Sequence, residues 1–460
     1  MWRVKLVAKL RPGVTTATEV AQIERDEQAG VAELGLRLDK AKQLTAALQA
    51  QIVPAQVAVV SECHRSCVAC GRMLASKGHY GARFRSLFGD VPVRIRRLHL
   101  CPCQGSGAAK SFAVLDLGGD AVASGLAYVT ARYVALVPFG KVAAFLSELL
   151  PMSGAQNTGT VRNRTLRVGK EIVQERLVET AQQPAAQAAG PVVVGLDGGH
   201  VRSRHRRDER HFEEVAGKVI HADGAQHRFA FARNGQAIAS EAFQQALAGA
   251  RERGHAGNAG LWRLPREALP GAAIVLDWWH PAVRFEHALQ AARGLGAGTA
   301  DTHFASEAVH GLERAKWRLW HGRWPGGWRK LAALRRWTER KHLRDVTGIG
   351  RLQQHASELL GYLERNENAL VPYAARRRRG EAISTAFVES AVNEIVAKRM
   401  HKRQQMRWNR ITVQPFSDVR MAVLHDALED AFRHRHPGFW PANDDRRSMT
   451  AAAWSPPPRF

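Results

Sequence analysis

Two short apolar runs in this chain each stop at an aspartate. Val192-Val193-Val194-Gly195-Leu196 leads into Asp197, and Ala273-Ile274-Val275-Leu276 leads into Asp277. Runs of this length, rich in β-branched residues, predict buried strands. Two strand-like runs follow the first, at 212–220 and 227–233, and a helical pattern covers 239–253. Farther on, Phe387, Val388, Ala391, Val392, Ile395 and Val396 recur at three-to-four spacing and predict a helix with one apolar face. Ser384 or Thr385 is placed to cap its start, and Glu389 lies beside the apolar face.

Three strands, a helix and a further strand match the order of an RNase H-like α/β fold. In such a sheet the first and fourth strands lie side by side, which predicts that Asp197 and Asp277 are neighbours. The long helical tract at 283–375 reads as an insertion before the Glu389 helix. Upstream, 16–50 reads as a long polar helix with Val20, Ile23, Val31, Leu34, Leu36, Leu44 and Leu48 as a loose apolar face. Residues 90–98 alternate like a strand with basic side chains outward. Helical patterns then cover 121–134 and 141–150, separated by Pro138-Phe139-Gly140, and a third runs from Asn157 or Thr158 to about 179. Helix, short helix, turn and basic helix sketch a helix-turn-helix, with Arg162, Arg164, Arg167 and Lys170 outward.

The predicted fold class is therefore α/β. A helical arm (1–55), a zinc-ribbon-like module (56–112) and a helical DNA-binding domain (113–182) precede a linker (183–190). An RNase H-like catalytic domain with its helical insertion (191–440) and a disordered tail (441–460) complete the chain.

Charge changes the picture most. Lys and Arg number 67 against 42 Asp and Glu, a net charge of +25. So basic a chain calls for a polyanionic partner, and nucleic acid is the commonest. The arginines cluster: Arg202, Arg204, Arg206, Arg207 and Arg210 follow Asp197, Arg376 to Arg379 precede Glu389, and Lys398 and Arg399 end its helix. Five tryptophans between Trp317 and Trp337 are interleaved with arginines, to stack on unpaired bases or to fill the core of the insertion. The opening residues lack an apolar signal core and the apolar tract at 121–150 is broken by Arg132, Pro138 and Lys141, so a cytoplasmic protein without a membrane partner is expected. Thiols stay reduced in the cytosol, and all five cysteines lie between Cys63 and Cys103. Cys67 and Cys70 form one pair and Cys101 and Cys103 another, a ligand set for structural Zn²⁺ with Cys63 and His64 as spares. A structural zinc can supply on the order of 10 kcal/mol of folding free energy to so small a module.

Two strand-end aspartates and one helix glutamate are the ingredients of a two-metal phosphoryl-transfer site, because Mg²⁺ or Mn²⁺ takes hard oxygen ligands. Taken singly, each acid also fits a turn or a helix cap. His280, three residues after Asp277, is open to three readings: general acid, orienting donor, or helix-start residue.

Asp277-Trp278-Trp279-His280 resembles the aspartate-x-x-histidine signature of Mutator-like and related bacterial DDE transposases. Gly195-Leu196-Asp197-Gly198-Gly199, together with Ala386-Phe387-Val388-Glu389-Ser390-Ala391, resembles insertion-sequence transposases of the ISKra type. Lys316-Trp317-Arg318-Leu319-Trp320 and Gln404-Gln405-Met406-Arg407-Trp408-Asn409-Arg410 are similar to that family as well. The resemblance implies Mg²⁺-dependent cleavage and strand transfer by Asp197, Asp277 and Glu389, with His280 beside them. It also implies terminal inverted repeats and target DNA as partners and a homo-oligomer assembled on DNA. A structure-specific RNase H-type endonuclease or resolvase and a non-catalytic DNA-binding regulator are the competing expectations.

Overall fold

A computed structural model describes residues 1–11, 14–24, 30–31, 34–104, 111–117, 121–152, 156–182, 193–205, 210–220, 226–232, 255–257, 272–297, 303–401 and 406–439. The expected linker at 183–190, helix at 239–253 and tail at 441–460 lie outside the described residues, as does Arg207. The chain forms two compact units, Met1–Val168 with Ala422–Phe460, and Gly169–Met421. The catalytic domain was expected to run to 440, so this division differs at its end.

In the first unit the helix expected over 16–50 is replaced by an antiparallel hairpin, β1 (Trp2–Arg11) and β2 (Val14–Ile23). The physical reason lies in β2 itself. Val14, Thr15, Thr16, Thr18, Val20 and Ile23 are β-branched and favour extended backbone once a partner strand is at hand. Helix begins only with α1 (Leu38–Cys63), which packs Val53 and Val57 onto Val91, Val93 and Ile95. By length and composition α1 is long and apolar enough to cross a membrane. Strands β3 (Ser76–Ser86) and β4 (Gly89–His99) pair antiparallel. With β5 (Ser111–Ala113) and β6 (Ala121–Val122) they make a sheet of order β5-β4-β3-β6. The alternation expected in β4 is present: Val91, Val93 and Ile95 are buried, and Arg94 and Arg97 are exposed.

Three helices follow: α2 (Ser124–Val134), α3 (Phe139–Leu149) and α4 (Thr158–Gln182). Asn157 caps α4, its Oδ1 accepting the Thr160 N–H at 2.7 Å. One expectation about α4 is corrected. Arg164 faces inward, 3 % exposed, and its guanidinium donates to the Thr130 hydroxyl at 3.2 Å.

The second unit holds a mixed five-stranded sheet: β7 (Val193–Arg202), β8 (His211–Ile220), β9 (Gln226–Ala232), β10 (His255–Gly257) and β11 (Ile274–Leu276). Its order is β11-β10-β7-β8-β9. β7, β8 and β9 are antiparallel neighbours, while β10 runs parallel to both β7 and β11. The strand that ends at Asp277 is therefore the fifth, not the fourth, and is not adjacent to β7. A three-residue strand, too short to show in the sequence pattern, lies between them.

The insertion consists of α5 (Trp279–Arg293), α6 (His303–Trp320), α7 (Trp324–Thr338), α8 (Ile349–Arg365) and α9 (Tyr373–Arg378), packed on a common apolar core. Trp337 is part of that core and Trp320, Trp324 and Trp328 pack against it, whereas Trp317 is exposed. After α10 (Ala386–Val392) the helix widens into a π-helical segment, Asn393–His401, and α11 (Arg410–Leu424) follows. In the first unit the last helix, α12 (Leu428–Arg435), sets Phe432 edge-on to Tyr128, 5.4 Å between ring centroids.

Candidate active site

The site is built on one face of β7. Successive residues of a strand point to opposite faces, so Gly195, Asp197 and Gly199 share a face. Both glycines are required there. A Cβ on Gly195 would overlap Val388 and Phe387 of α10, and one on Gly199 would come within 2.9 Å of Val396. Glycine in a strand often marks a close approach of another segment, and here the third acid's helix lies directly on the strand. Asp197 is the side chain left between the two contacts, on the face that α10 covers.

Asp277 follows β11. Leu196, Gly257 and Leu276 stand side by side across β7, β10 and β11. Asp197 and Asp277 therefore leave the sheet at the same level, two strand spacings or about 10 Å apart. Asp277 is 2 % exposed. Its Oδ1 accepts the Trp279 N–H at 2.7 Å, and its Oδ2 accepts the Thr385 N–H at 2.9 Å and the Thr385 hydroxyl. Thr385 is the residue before α10, and its carbonyl accepts the Val388 and Glu389 N–H groups. Its hydroxyl was expected to cap that helix; it ties the second acid to the start of the third acid's helix instead.

His280, Asp277 and Glu389 each lie within electrostatic reach of Asp197. Burial pushes the Asp197 carboxyl up from its ordinary value. The Gly198 N–H, which donates to its Oδ1 at 2.8 Å, and the His280 ring pull it back. The Asp277 and Glu389 carboxylates push it up again. Exposure is graded across the cluster: Asp277 is buried, Asp197 and His280 are half-buried, and Glu389 is exposed. Among the described residues the group of three or more side chains placed to hold a metal ion is the four-cysteine cluster, not these acids.

The basic residues sort by exposure. Arg167, Arg202, Arg204, Arg377 and Lys398 are exposed and Arg162 is half-buried. Arg376 pairs with Glu381 at 3.0 Å and donates to the Ala382 carbonyl, so it braces the turn before α10. Arg399 corrects the expectation of a phosphate contact. It is 1 % exposed, lies 5.0 Å from the Phe416 ring centroid, and is pushed down to about 9 by burial and by Arg420. The widened π turn changes which side of the helix faces the core, and that was not visible in a 3.6-residue pattern.

In the first unit the four expected thiols converge. The Cys67, Cys70, Cys101 and Cys103 sulfurs all lie within 4.8 Å of one another, and no disulfide joins them. Sγ atoms are 3.5 Å apart for Cys67–Cys103 and Cys70–Cys101, and 3.4 Å for Cys70–Cys103. Four sulfurs about 2.3 Å from a tetrahedral zinc stand about 3.8 Å apart, so this cluster can hold a structural metal such as zinc. The Cys70 and Ala69 N–H groups hold the Cys67 thiol down to about 7, and crowding by Cys101 and the other thiols pushes Cys103 up to about 12. The knuckle is closed by Gly71 at φ 71°, whose N–H donates to the Cys67 carbonyl. Cys63 stays outside this group.

No protein-family model matches the chain, and no curated protein matches it. Thr385 is the site residue that sequence reasoning missed in its true role. The Gly195, Asp197, Gly199 alternation is the feature of the sequence that corresponds to this close helix packing.

Proposed function

We propose that this protein is the DNA transposase of an insertion sequence. In this reading it binds terminal inverted repeats and performs divalent-metal-dependent cleavage and strand transfer with Asp197, Asp277 and Glu389. The reading is carried by the placement of Asp277, Glu389 and His280, from segments up to 192 residues apart in the sequence, within electrostatic reach of Asp197. The sheet order, in which the first strand has the fourth as its parallel neighbour, is in keeping with an RNase H-like core, although the second acid follows the fifth strand, one place farther out. The helical insertion between the second and third acids and the charge of +25 point the same way.

Asp197, Asp277 and Glu389 are the residues that would hold Mg²⁺, and the ion would supply activation of a water or 3′-hydroxyl and stabilisation of the leaving oxygen. The chain's own part is positional. Asp277 is locked by Trp279 and Thr385, so it is a fixed reference point. Asp197 is held by Gly198 on a rigid strand, and Glu389 reaches the open side from α10. His280 presents a titratable ring to Asp197 and can hold or release a proton beside the reacting phosphate. In the first unit the four-cysteine module and the helices with Arg162 and Arg167 are assigned to DNA ends.

A non-catalytic DNA-binding regulator is the second reading, and one observation favours it. Both Asp277 oxygens are already satisfied within the protein, as a purely structural carboxylate would have them. The test is incubation of the full chain with Mg²⁺ or Mn²⁺ and a linear DNA carrying the sequences that flank its gene. Nicked and joined products are expected. Asp197→Asn and Glu389→Gln should each lose them by about a hundredfold or more while gel-shift affinity persists. Product formation that survives Asp197→Asn would sink the assignment. A wild-type protein that binds these ends but never cuts them would hand it to the regulator.

A further inference from the structure

The molecule has a second basic feature that the acid cluster does not use. At the far end of the β7–β8 hairpin, a cavity of about 380 Å³ is lined by Arg202, Ser203, Arg210, His211 and Arg407. That volume lies within the range of small-ligand sites. Among the described residues, none of its three guanidiniums pairs with a carboxylate, and no acid lines the cleft. Arg202, Arg210, His211 and Arg407 are all exposed.

The cleft is a built feature. Its walls come from two places more than 190 residues apart in the chain, and main-chain hydrogen bonds join them. The Trp408 N–H donates to the Arg202 carbonyl at 2.9 Å, and the Arg204 N–H donates to the Trp408 carbonyl at 2.8 Å. The Ser203 N–H donates to the Arg210 carbonyl at 3.0 Å and closes the hairpin end. Trp408 is 4 % exposed and its ring lies 4.6 Å from that of Phe416, so the residue before it, Arg407, is delivered to the cleft by a buried anchor. The Met406-Arg407-Trp408 stretch thereby gains a physical role.

Register separates this cleft from the acids. β7 and β8 pair without interruption from Val193↔Ile220 to Arg202↔His211. Arg202 is five residues beyond Asp197, an odd number, so it leaves the opposite face of the sheet, with His211 beside it. Five strand residues also span about 17 Å. A single phosphate cannot meet both places.

We propose that the Arg202, Arg210, His211 and Arg407 cleft is a nucleic-acid backbone site of its own, taking a phosphodiester segment other than the one presented to Asp197. Guanidinium forks fit phosphate oxygens in pairs, and three of them, with no acid partner among the described residues, favour an anion. The choice of nucleic acid as the source of that phosphate rests on the reading of the protein given above.

The test is fluorescence anisotropy of the full chain with a labelled 20-base-pair duplex of arbitrary sequence, without divalent metal, over a series of salt concentrations. Each phosphate contact contributes about 0.9 to the slope of log affinity against log salt. Arg202→Gln with Arg407→Gln should lower that slope by about 1.8, and Arg202→Lys with Arg407→Lys should keep most of it. Arg210→Gln alone should lower it by about 0.9 and guards against a misfolded double variant. An unchanged slope in the glutamine variants overturns the proposal. So does displacement by inorganic pyrophosphate that binds the cleft more tightly than the duplex, which would make it a small-anion site. Because no cleavage is measured, this outcome is independent of whether the acids are catalytic.

Discussion

Asp197 and Asp277 carry the same formal charge at the same level of one sheet, yet their surroundings give them different work. Asp197 accepts one N–H and keeps an exposed side, while Asp277 is saturated by donors on both oxygens. Substitution should separate the two roles. Asp197→Asn removes a repelling charge and should leave stability within about 0.5 kcal/mol of wild type or raise it. Asp277→Asn must turn its amide N–H₂ toward either Trp279 N–H or Thr385, both of them donors. It should cost about 1–3 kcal/mol as well as activity. Urea denaturation of both variants checks this, and equal stabilities would count against Asp277 as the anchor of α10. A second buried acid bears on pH. Glu214 on β8 is fully buried, hydrogen-bonded by the Ser417 hydroxyl, and pushed up to about 7, chiefly by burial. Its ordinary value is 4.5. Between pH 4.5 and 7 the folded chain keeps a proton that the unfolded chain releases, so stability falls as pH rises through that window. Glu214→Gln should flatten this slope and gain on the order of 3 kcal/mol at pH 8, read from denaturation midpoints at pH 5 and 8.

Among the elements, α10 and β7 form the contact that makes the site. No side chain separates them at Gly195, where α10 places Val388 and Phe387. Gly195→Ala should force α10 away from the strand at a cost of about 1–3 kcal/mol, with Glu389 displaced from Asp197. Thermal denaturation beside a nicking assay checks it; a variant as stable and active as wild type would show that the helix is free to slide. The π-helical segment that continues α10 has the same consequence for charge. It turns Arg399 inward between Phe416 and Trp408 while Lys398 stays in solvent. A row of cations that reads as one phosphate-binding end is thus split between core and surface.

The whole molecule divides into two compact units, one with the four-cysteine cluster and the other with the acids. Large chains of this kind unfold in more than one step. Calorimetry should resolve two transitions, and a zinc chelator should lower one of them while leaving the other in place, because metal binding to the thiols is folding free energy for their unit alone. A chelator that moves both transitions together, or neither, would contradict a structural metal confined to the first unit.

Some of this was fixed by local chemistry and could be read directly. The strand leading into Asp277, the Glu389 helix, the Asn157 cap and the two cysteine pairs all follow from short-range periodicity, capping and spacing; the strand expected to end at Asp197 instead runs on to Arg202, held extended by its pairing with β8. What only the tertiary structure decided involves partners distant in sequence. The β1–β2 hairpin replaced a helix because a neighbouring strand satisfies backbone groups that β-branched residues hold extended. The three-residue β10 came between the acid-bearing strands because a strand so short has no period of its own. Arg164 and Arg399 turned inward because burial depends on what packs against a residue, and a sequence pattern records only the residue. Thr385 found Asp277 at a sequence separation of 108 for the same reason: hydrogen bonds between distant segments exist only once the chain has folded.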